Sequence, residues 1–401
     1  MGPGGGEGDK ILRQTAKIIL FNIVAVILIC LSFELFTRAS LNKNTPFKER
    51  FKFNVKYVPS GFVRFFPSPN QVIYEVENGI IKYNKIKFKI NQYGFRGEDF
   101  PINKTKDEVR IFILGGSHVF DLNSFDYEGN YGFPYIIQKY FIDNGYNLRV
   151  INAGIPGDDT RNYFIKIIMD IHRYKPDIII INSIWNDTKW ISRTTDSTLL
   201  LSTEPAAFNK NPMIEKVNFL DKALGFSVLY RKFRDFYWKK KLHLGQNKII
   251  NEGIVNNQHV VINNFNQGFE QYRINLIAAV KAIQSINAIP ILAIEERFIS
   301  SKNNEADKKK IQYHFVNAKS HDELLSIFRK CDTIIEEIAY KYNISLINID
   351  KEMEGNSKYF VDHVHTTPEG SEYIAEKYYN FLKPFVDNLR QHMPIKENYI
   401  N

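Results

Sequence analysis

The chain has 401 residues, of which 44% are hydrophobic and 14% aromatic. That composition suits a packed core and excludes an intrinsically disordered chain. The formal net charge of +9 is spread along the chain without a nucleic-acid motif, so nucleic acid is not an expected partner. The two cysteines, Cys30 and Cys331, lie in segments with no reason to meet, which argues against a disulfide framework and a cysteine metal site.

Residues 1–17 open Gly-rich and read as a flexible tail. From Ile18 to Phe36 the run IILFNIVAVILICLSFELF is long enough to cross a bilayer, and a transmembrane anchor is expected at 18–37. Glu34 sits near its end, where a carboxylate reaches the interface at modest cost. A cleaved signal peptide would have a shorter apolar run and small residues after it, and Phe36-Thr37-Arg38-Ala39-Ser40 makes a poor cleavage site. A buried core helix is the remaining alternative. Lys10, Arg13 and Lys17 precede the run; Arg38, Lys43, Lys48, Arg50, Lys52 and Lys56 come after it. Taken literally, that excess would keep the large domain cytoplasmic, whereas an N-terminal signal-anchor more often exports the domain it precedes. The expectation is a single-pass membrane protein with its large domain extracytoplasmic.

Residues 38–107 form a lead-in region. Alternation from Ile80 to Asn91 predicts one or two strands of a β-hairpin, and Asn91-Gln92-Tyr93-Gly94-Phe95-Arg96-Gly97 reads as a turn. A strand–helix alternation comes next. Short Ile- and Val-rich runs predict strands at 109–114, 148–152, 177–182, 289–294 and 344–349, of the kind buried on both faces. Helical patterns cover about 131–144, 159–174, 266–287, 320–342 and 368–390. The alternation predicts a parallel α/β sheet over 108–392, with a tail at 393–401. Residues 188–265 are too long for a plain connection and are read as an insertion. Within it Phe226, Leu229, Tyr230, Phe233 and Phe236 recur at helical spacing beside Arg231, Lys232 and Arg234. Such a helix packs on its own domain or serves as a lid or membrane-lying element.

Ligands of parallel sheets sit beyond the carboxyl ends of the strands. The first strand there runs into Gly115-Gly116-Ser117-His118, where glycines let the backbone turn and present the serine hydroxyl. A phosphate-binding turn is an alternative, but no Lys-Ser/Thr follows the glycines as a P-loop requires. The second strand leads to Gly154-Ile155-Pro156-Gly157-Asp158-Asp159-Thr160, whose polar residues suit a helix N-cap. The third ends in Trp185-Asn186-Asp187, and an Asn amide is a neutral donor for a developing oxyanion. Near the C-terminus, Asp362-His363-Val364-His365 precedes Thr367-Pro368, which reads as an N-cap and first helical position. Asp362 at this spacing can orient His365 as the base for Ser117, with His363 as a competing base.

In order and placement these pieces resemble the SGNH (GDSL-like) hydrolase superfamily over about 109–390, with Asn91–Gly97 resembling a common lead-in to such domains. The resemblance implies a flavodoxin-like three-layer α/β/α sandwich with a central parallel sheet. It implies Ser117 as nucleophile, Asp362 and His365 as acid and base, and an oxyanion hole from the Ser117 amide, Gly157 (Gly154 as the fallback) and Asn186. His118 and Trp185 are weaker candidates for substrate contact. The chain departs from the family at Gly116, where Asp is usual, and at Ser183-Ile184, in place of the usual Gly-x ahead of Asn186-Asp187. No metal and no cofactor is expected. The implied activity is ester hydrolysis or O-acyl transfer through an acyl-Ser117 intermediate, on an O-acylated glycan or lipid. A catalytically inactive glycan- or lipid-binding protein of the same fold is the alternative, since fold does not determine function.

Overall fold

The computed structural model describes residues 6–39, 57–58, 66–77, 80–105, 107–121, 132–191, 230, 265–311, 313, 318 and 320–391. Two compact units divide the chain: 1–53 with 75–82 and 216–261, and 54–74 with 83–215 and 262–401.

The first unit contains α1 (Gly6–Ala39), so residues 6–17, read as part of a flexible tail, are helical and continuous with the apolar run. Within it, 21 residues from Arg13 to Phe33 form a helix long and apolar enough to cross a membrane, and that window is 0% buried by the protein. At 1.5 Å per residue it spans about 31 Å, against about 30 Å of hydrocarbon in a bilayer. Ser32, one of its polar interruptions, donates its hydroxyl to Leu28 O at 2.9 Å.

In the second unit, β1 (Tyr57–Val58) pairs antiparallel with β2 (Phe66–Pro67). β3 (Gln71–Glu77) and β4 (Ile80–Ile90) form a two-stranded sheet. The alternating run therefore makes one long strand, and its partner lies upstream of the segment in which the alternation is visible. β4 from Tyr83 onward falls in the same compact unit as the main sheet.

The main sheet is built from β5 (Val109–Gly115), β6 (Leu148–Asn152), β7 (Ile178–Asn182), β8 (Ile289–Ala293) and β9 (Ser345–Ile347). All its pairings are parallel, in the spatial order β6-β5-β7-β8-β9. In sheet numbering this is 2-1-3-4-5, the flavodoxin-like order, with a switch point beside the first strand. β5 and β7 are buried along their whole length, and apart from Arg110 and Asn182 their side chains are apolar.

The connections are α2 (Ser117–Phe120), α3 (Phe133–Asp143), α4 (Thr160–Met169), α5 (Trp185–Ile191), α6 (Phe265–Ser285), α7 (Glu305–Lys308), α8 (His321–Tyr342), α9 (Asp350–Met353) and α10 (Pro368–Gln391). α3 packs with α10, while α6 packs with α4, α5 and α8. These are the two outer layers of a three-layer α/β/α sandwich.

Element ends differ from expectation where backbone chemistry intervenes. The helix expected to reach 174 stops at Met169 and continues as a 3-10 turn over Ile171–Tyr174, closed by Lys175 in the left-handed region. β9 is shorter than 344–349 because the Ile344 amide is taken by Ala339 O at 2.8 Å, at the end of α8. Most of the insertion, including the helix read around Phe226–Phe236 apart from Tyr230, lies outside the described residues.

Arg110 on β5 is a fully buried charge, 0% exposed. Its five N–H groups meet Glu108 at 2.6 and 3.2 Å, Ile102 O at 2.9 Å, Tyr174 O at 3.0 Å and Pro101 O at 2.7 Å. It thus ties the lead-in to the amino end of the sheet, opposite the site. Arg110→Met, which keeps the stem and removes every donor, should cost about 3–5 kcal/mol by stranding Glu108 and three carbonyls. Urea denaturation followed by circular dichroism checks this; a loss under about 1 kcal/mol would show that the pairing is not holding the fold.

Candidate active site

β5 delivers Ser117 by two glycines that other residues could not replace in place. A Cβ on Gly115 would lie 2.2 Å from the Val119 side chain and 2.5 Å from Asn182 O. A Cβ on Gly116 would lie 2.3 Å from Asn186 Nδ2. At Gly116, where the resemblance leads one to expect Asp, the Asn186 amide occupies space a side chain would take. Ser117 begins the single turn of α2, closed by Phe120 N on Gly116 O at 3.0 Å and Asp121 N on Ser117 O at 2.9 Å.

His365 arrives from the loop ahead of α10. Asp362 folds that loop on itself: its Oδ1 accepts from Val364 N at 3.1 Å and His365 N at 2.9 Å. Val361 N on His365 O and Phe298 N on His363 O, both at 2.9 Å, brace its backbone. The N-cap read at Thr367 is present, its hydroxyl accepting from Gly370 N at 3.0 Å. The Asp362 carboxylate lies 2.8 Å from His365 Nδ1, and His365 Nε2 lies 2.7 Å from Ser117 Oγ. With Nδ1 protonated toward the carboxylate, the Nε2 lone pair faces the hydroxyl. His363, the competing base, has its ring 3.9 Å from that of Trp185, tilted by 40°, and its Nδ1 3.7 Å from the Asp362 carboxylate.

Burial works against charge on His365, but the adjacent Asp362 carboxylate and their hydrogen bond outweigh it, so the imidazole pKa lies above its ordinary 6.5. Burial also pushes the Asp362 carboxyl up, and the same partner prevails, holding it well below the usual carboxylate range.

The loop after β6 forms a turn from Ile155 to Asp158, closed by Asp158 N on Ile155 O at 2.9 Å. Pro156 and Gly157 occupy its central positions, Gly157 with φ 81°, the pattern of a type II turn. The Gly154 amide, the fallback donor, bonds to Asn152 Oδ1 at 3.1 Å. Of the three polar residues read as N-caps for α4, Asp159 does the capping, accepting from Arg161 N at 3.1 Å. Asn186 on α5 donates one amide hydrogen to Asp158 O at 2.8 Å, and a primary amide has a second to offer.

Two buried carboxylates brace this wall. Asp187 accepts from Thr160 N at 3.1 Å, Thr160 Oγ1 at 2.6 Å, Ser183 Oγ at 2.8 Å and Trp190 Nε1 at 3.2 Å. Burial raises its pKa well above the ordinary value. Glu295, just past β8 and 0% exposed, accepts from Trp185 N at 2.9 Å and from Ile184 N. It thereby holds the start of α5 where Ser183-Ile184 replaces the Gly-x of the family pattern.

His118 and Trp185, the weaker candidates for substrate contact, both make contacts within the protein. His118 is 6% exposed and reaches Asn182 O at 3.1 Å and Oδ1 at 3.2 Å. Asn182 in turn donates to Glu296 at 3.0 Å. Trp185, 4% exposed, packs between His363 and Phe328. The sequence pattern did not single out Glu295 and Glu296; their signal was a pair of acids directly after a buried strand, at the end where parallel sheets place their chemistry. Among the described residues no group of three or more His, Cys, Asp or Glu side chains is arranged to hold a metal.

No protein-family model and no curated protein matches the chain. Among solved structures it is similar to a GDSL-like lipase from Bacteroides thetaiotaomicron, at 13% identity over 71% of this chain and 91% of that one, TM-score 0.37. It is similar to a lipase/acylhydrolase from Enterococcus faecalis, at 13% identity over 69% and 96%, TM-score 0.40. It is similar also to an acetylxylan esterase from Geobacillus stearothermophilus, at 13% identity over 70% and 95%, TM-score 0.37.

An NMR titration of the His365 ring should give a pKa above 6.5 in the wild type. In Asp362→Asn the burial remains and the largest balancing charge is gone, so the pKa should fall from its wild-type value. An unchanged value in the variant would show that the carboxylate does not control the ring.

Proposed function

We propose that the chain is a serine-dependent ester hydrolase or O-acyltransferase of the SGNH type, working through an acyl-Ser117 intermediate on an O-acylated glycan or lipid. The observation that carries this reading is the line from Asp362 through His365 to Ser117 Oγ, at 2.8 and 2.7 Å. Ser117 Oγ attacks the ester carbonyl while His365 Nε2 takes its proton, and Asp362 balances the imidazolium that forms. The carbonyl oxygen becomes an oxyanion facing the Ser117 and Gly157 amides and the second Asn186 hydrogen. Collapse expels the alcohol, which leaves with the His365 proton. Water then attacks the acyl-serine in hydrolysis, or an acceptor hydroxyl in transfer, with His365 again as base. We infer further that α1 anchors the protein in a membrane as a signal-anchor, with the α/β domain on the extracytoplasmic face. That placement would bring the site to surface glycans or lipids.

A fluorophosphonate probe should label the wild type and leave Ser117→Ala unlabelled; equal labelling of both would end this reading. Catalysis needs neutral His365, so kcat/KM should be low below its raised pKa and climb as pH passes above it.

Gly116→Ala tests the oxyanion wall, because its methyl group displaces the Asn186 amide. The rate of acylation should fall about 10²–10³-fold, as for loss of one oxyanion donor. Stopped-flow measurement on a p-nitrophenyl ester checks this, and an undiminished rate would remove Asn186 from the mechanism.

A further inference from the structure

Resting on the reading of Ser117 as nucleophile, we propose that Arg96, from the turn after β4, is a positioning residue that clamps the nucleophile turn from outside the α/β layers. α2 is one turn long, so the carbonyls at its end have no partner within the helix. Their partners come from elsewhere. Asn152 Nδ2 donates to Val119 O at 2.9 Å, and Arg96 Nη1 donates to both Phe120 O and Asp121 O.

The guanidinium is fixed on its other sides as well. It lies 4.9 Å over the Phe88 ring and 5.4 Å over the Phe120 ring, and those rings meet edge to face at 5.5 Å. The side chain is 6% exposed. Burial lowers its pKa to about 10, against the pull of Asp121, so it remains a cation at neutral pH. The Arg96 backbone forms an antiparallel bridge with Asn152 at the edge strand of the sheet, so the two residues that hold α2 are themselves paired. Upstream, Asn91 Oδ1 accepts from Tyr93 N and Phe95 N, both at 3.0 Å, which sets the turn that aims Arg96.

The clamp reaches both halves of the site. Asp121 adopts φ 57°, and its carboxylate accepts from Ser371 Oγ at 2.7 Å and from Phe133 N at 3.0 Å. Ser371 bonds Thr366, the neighbour of His365, at 2.8 Å. Arg96 thus holds the segment from which the serine and the histidine loop are jointly registered. It touches no reacting atom, and its contribution is the alignment of Ser117 Oγ with His365 Nε2.

The test compares full-length wild type and Arg96→Lys in detergent, by fluorophosphonate labelling rate and by p-nitrophenyl ester kinetics, each corrected for folded fraction. Lysine keeps the charge but not the planar group held between two rings and two carbonyls. Labelling and kcat should fall about a hundredfold, the scale of a displacement near 1 Å. KM and the pH of half-maximal activity should not move, because the Asp362–His365 pair is untouched. Wild-type rates in Arg96→Lys, or a loss accounted for by unfolded protein alone, would overturn the proposal. Should Arg96→Lys fail to fold, Phe88→Leu removes one ring of the clamp; a loss of about tenfold is expected, and an undiminished rate overturns it. A wild type that takes no label would instead sink the reading of Ser117.

Discussion

A hydroxyl and an imidazole separated by 248 positions in the chain meet at 2.7 Å. A serine hydroxyl is a weak nucleophile by itself, and it gains reactivity only beside a base whose lone pair faces it. Asp362 provides that by taking the Nδ1 hydrogen, and the same carboxylate binds two backbone amides of its own loop. The group that orients the ring therefore also shapes the segment that carries it. Much of the surrounding structure can be understood as holding this alignment against the mobility expected of loops.

The rest of the site is registered by buried polar groups acting on backbone. Glu295 holds the start of α5, Asp187 joins α5 to α4, and the Asp158 carbonyl anchors the Asn186 amide. Lys166, 2% exposed, spans the loop after β6 by binding Ala153 O and the Asp158 carboxylate, both at 3.0 Å. Each such group would be costly to bury alone and is accommodated because it is bonded. In the proposed reaction a wall built in this way would not have to reorganise as charge develops on a substrate, the property that makes an oxyanion site effective.

The α/β core was legible because buried parallel strands leave a plain trace: Ile178 to Ile181 are four consecutive isoleucines. Ser117, Asn186, Asp362 and His365 could be read from their place after strands or before a helix. His118 could not be placed, because whether a side chain after a nucleophile faces substrate or core depends on its partner, here Asn182. Gly116 likewise looked like a departure from pattern until the Asn186 amide was seen to fill its space. Arg96 was visible only as part of a turn. Its bonds run to carbonyls of another element, and carbonyl positions leave no mark in a sequence.

The most direct measurement of this account is a crystal structure of the protein inactivated with a fluorophosphonate. Phosphorus should be bonded to Ser117 Oγ, with a non-bridging oxygen within hydrogen-bond reach of Asn186 Nδ2 and Gly157 N. An adduct on another residue, or a non-bridging oxygen turned away from both donors, would contradict it.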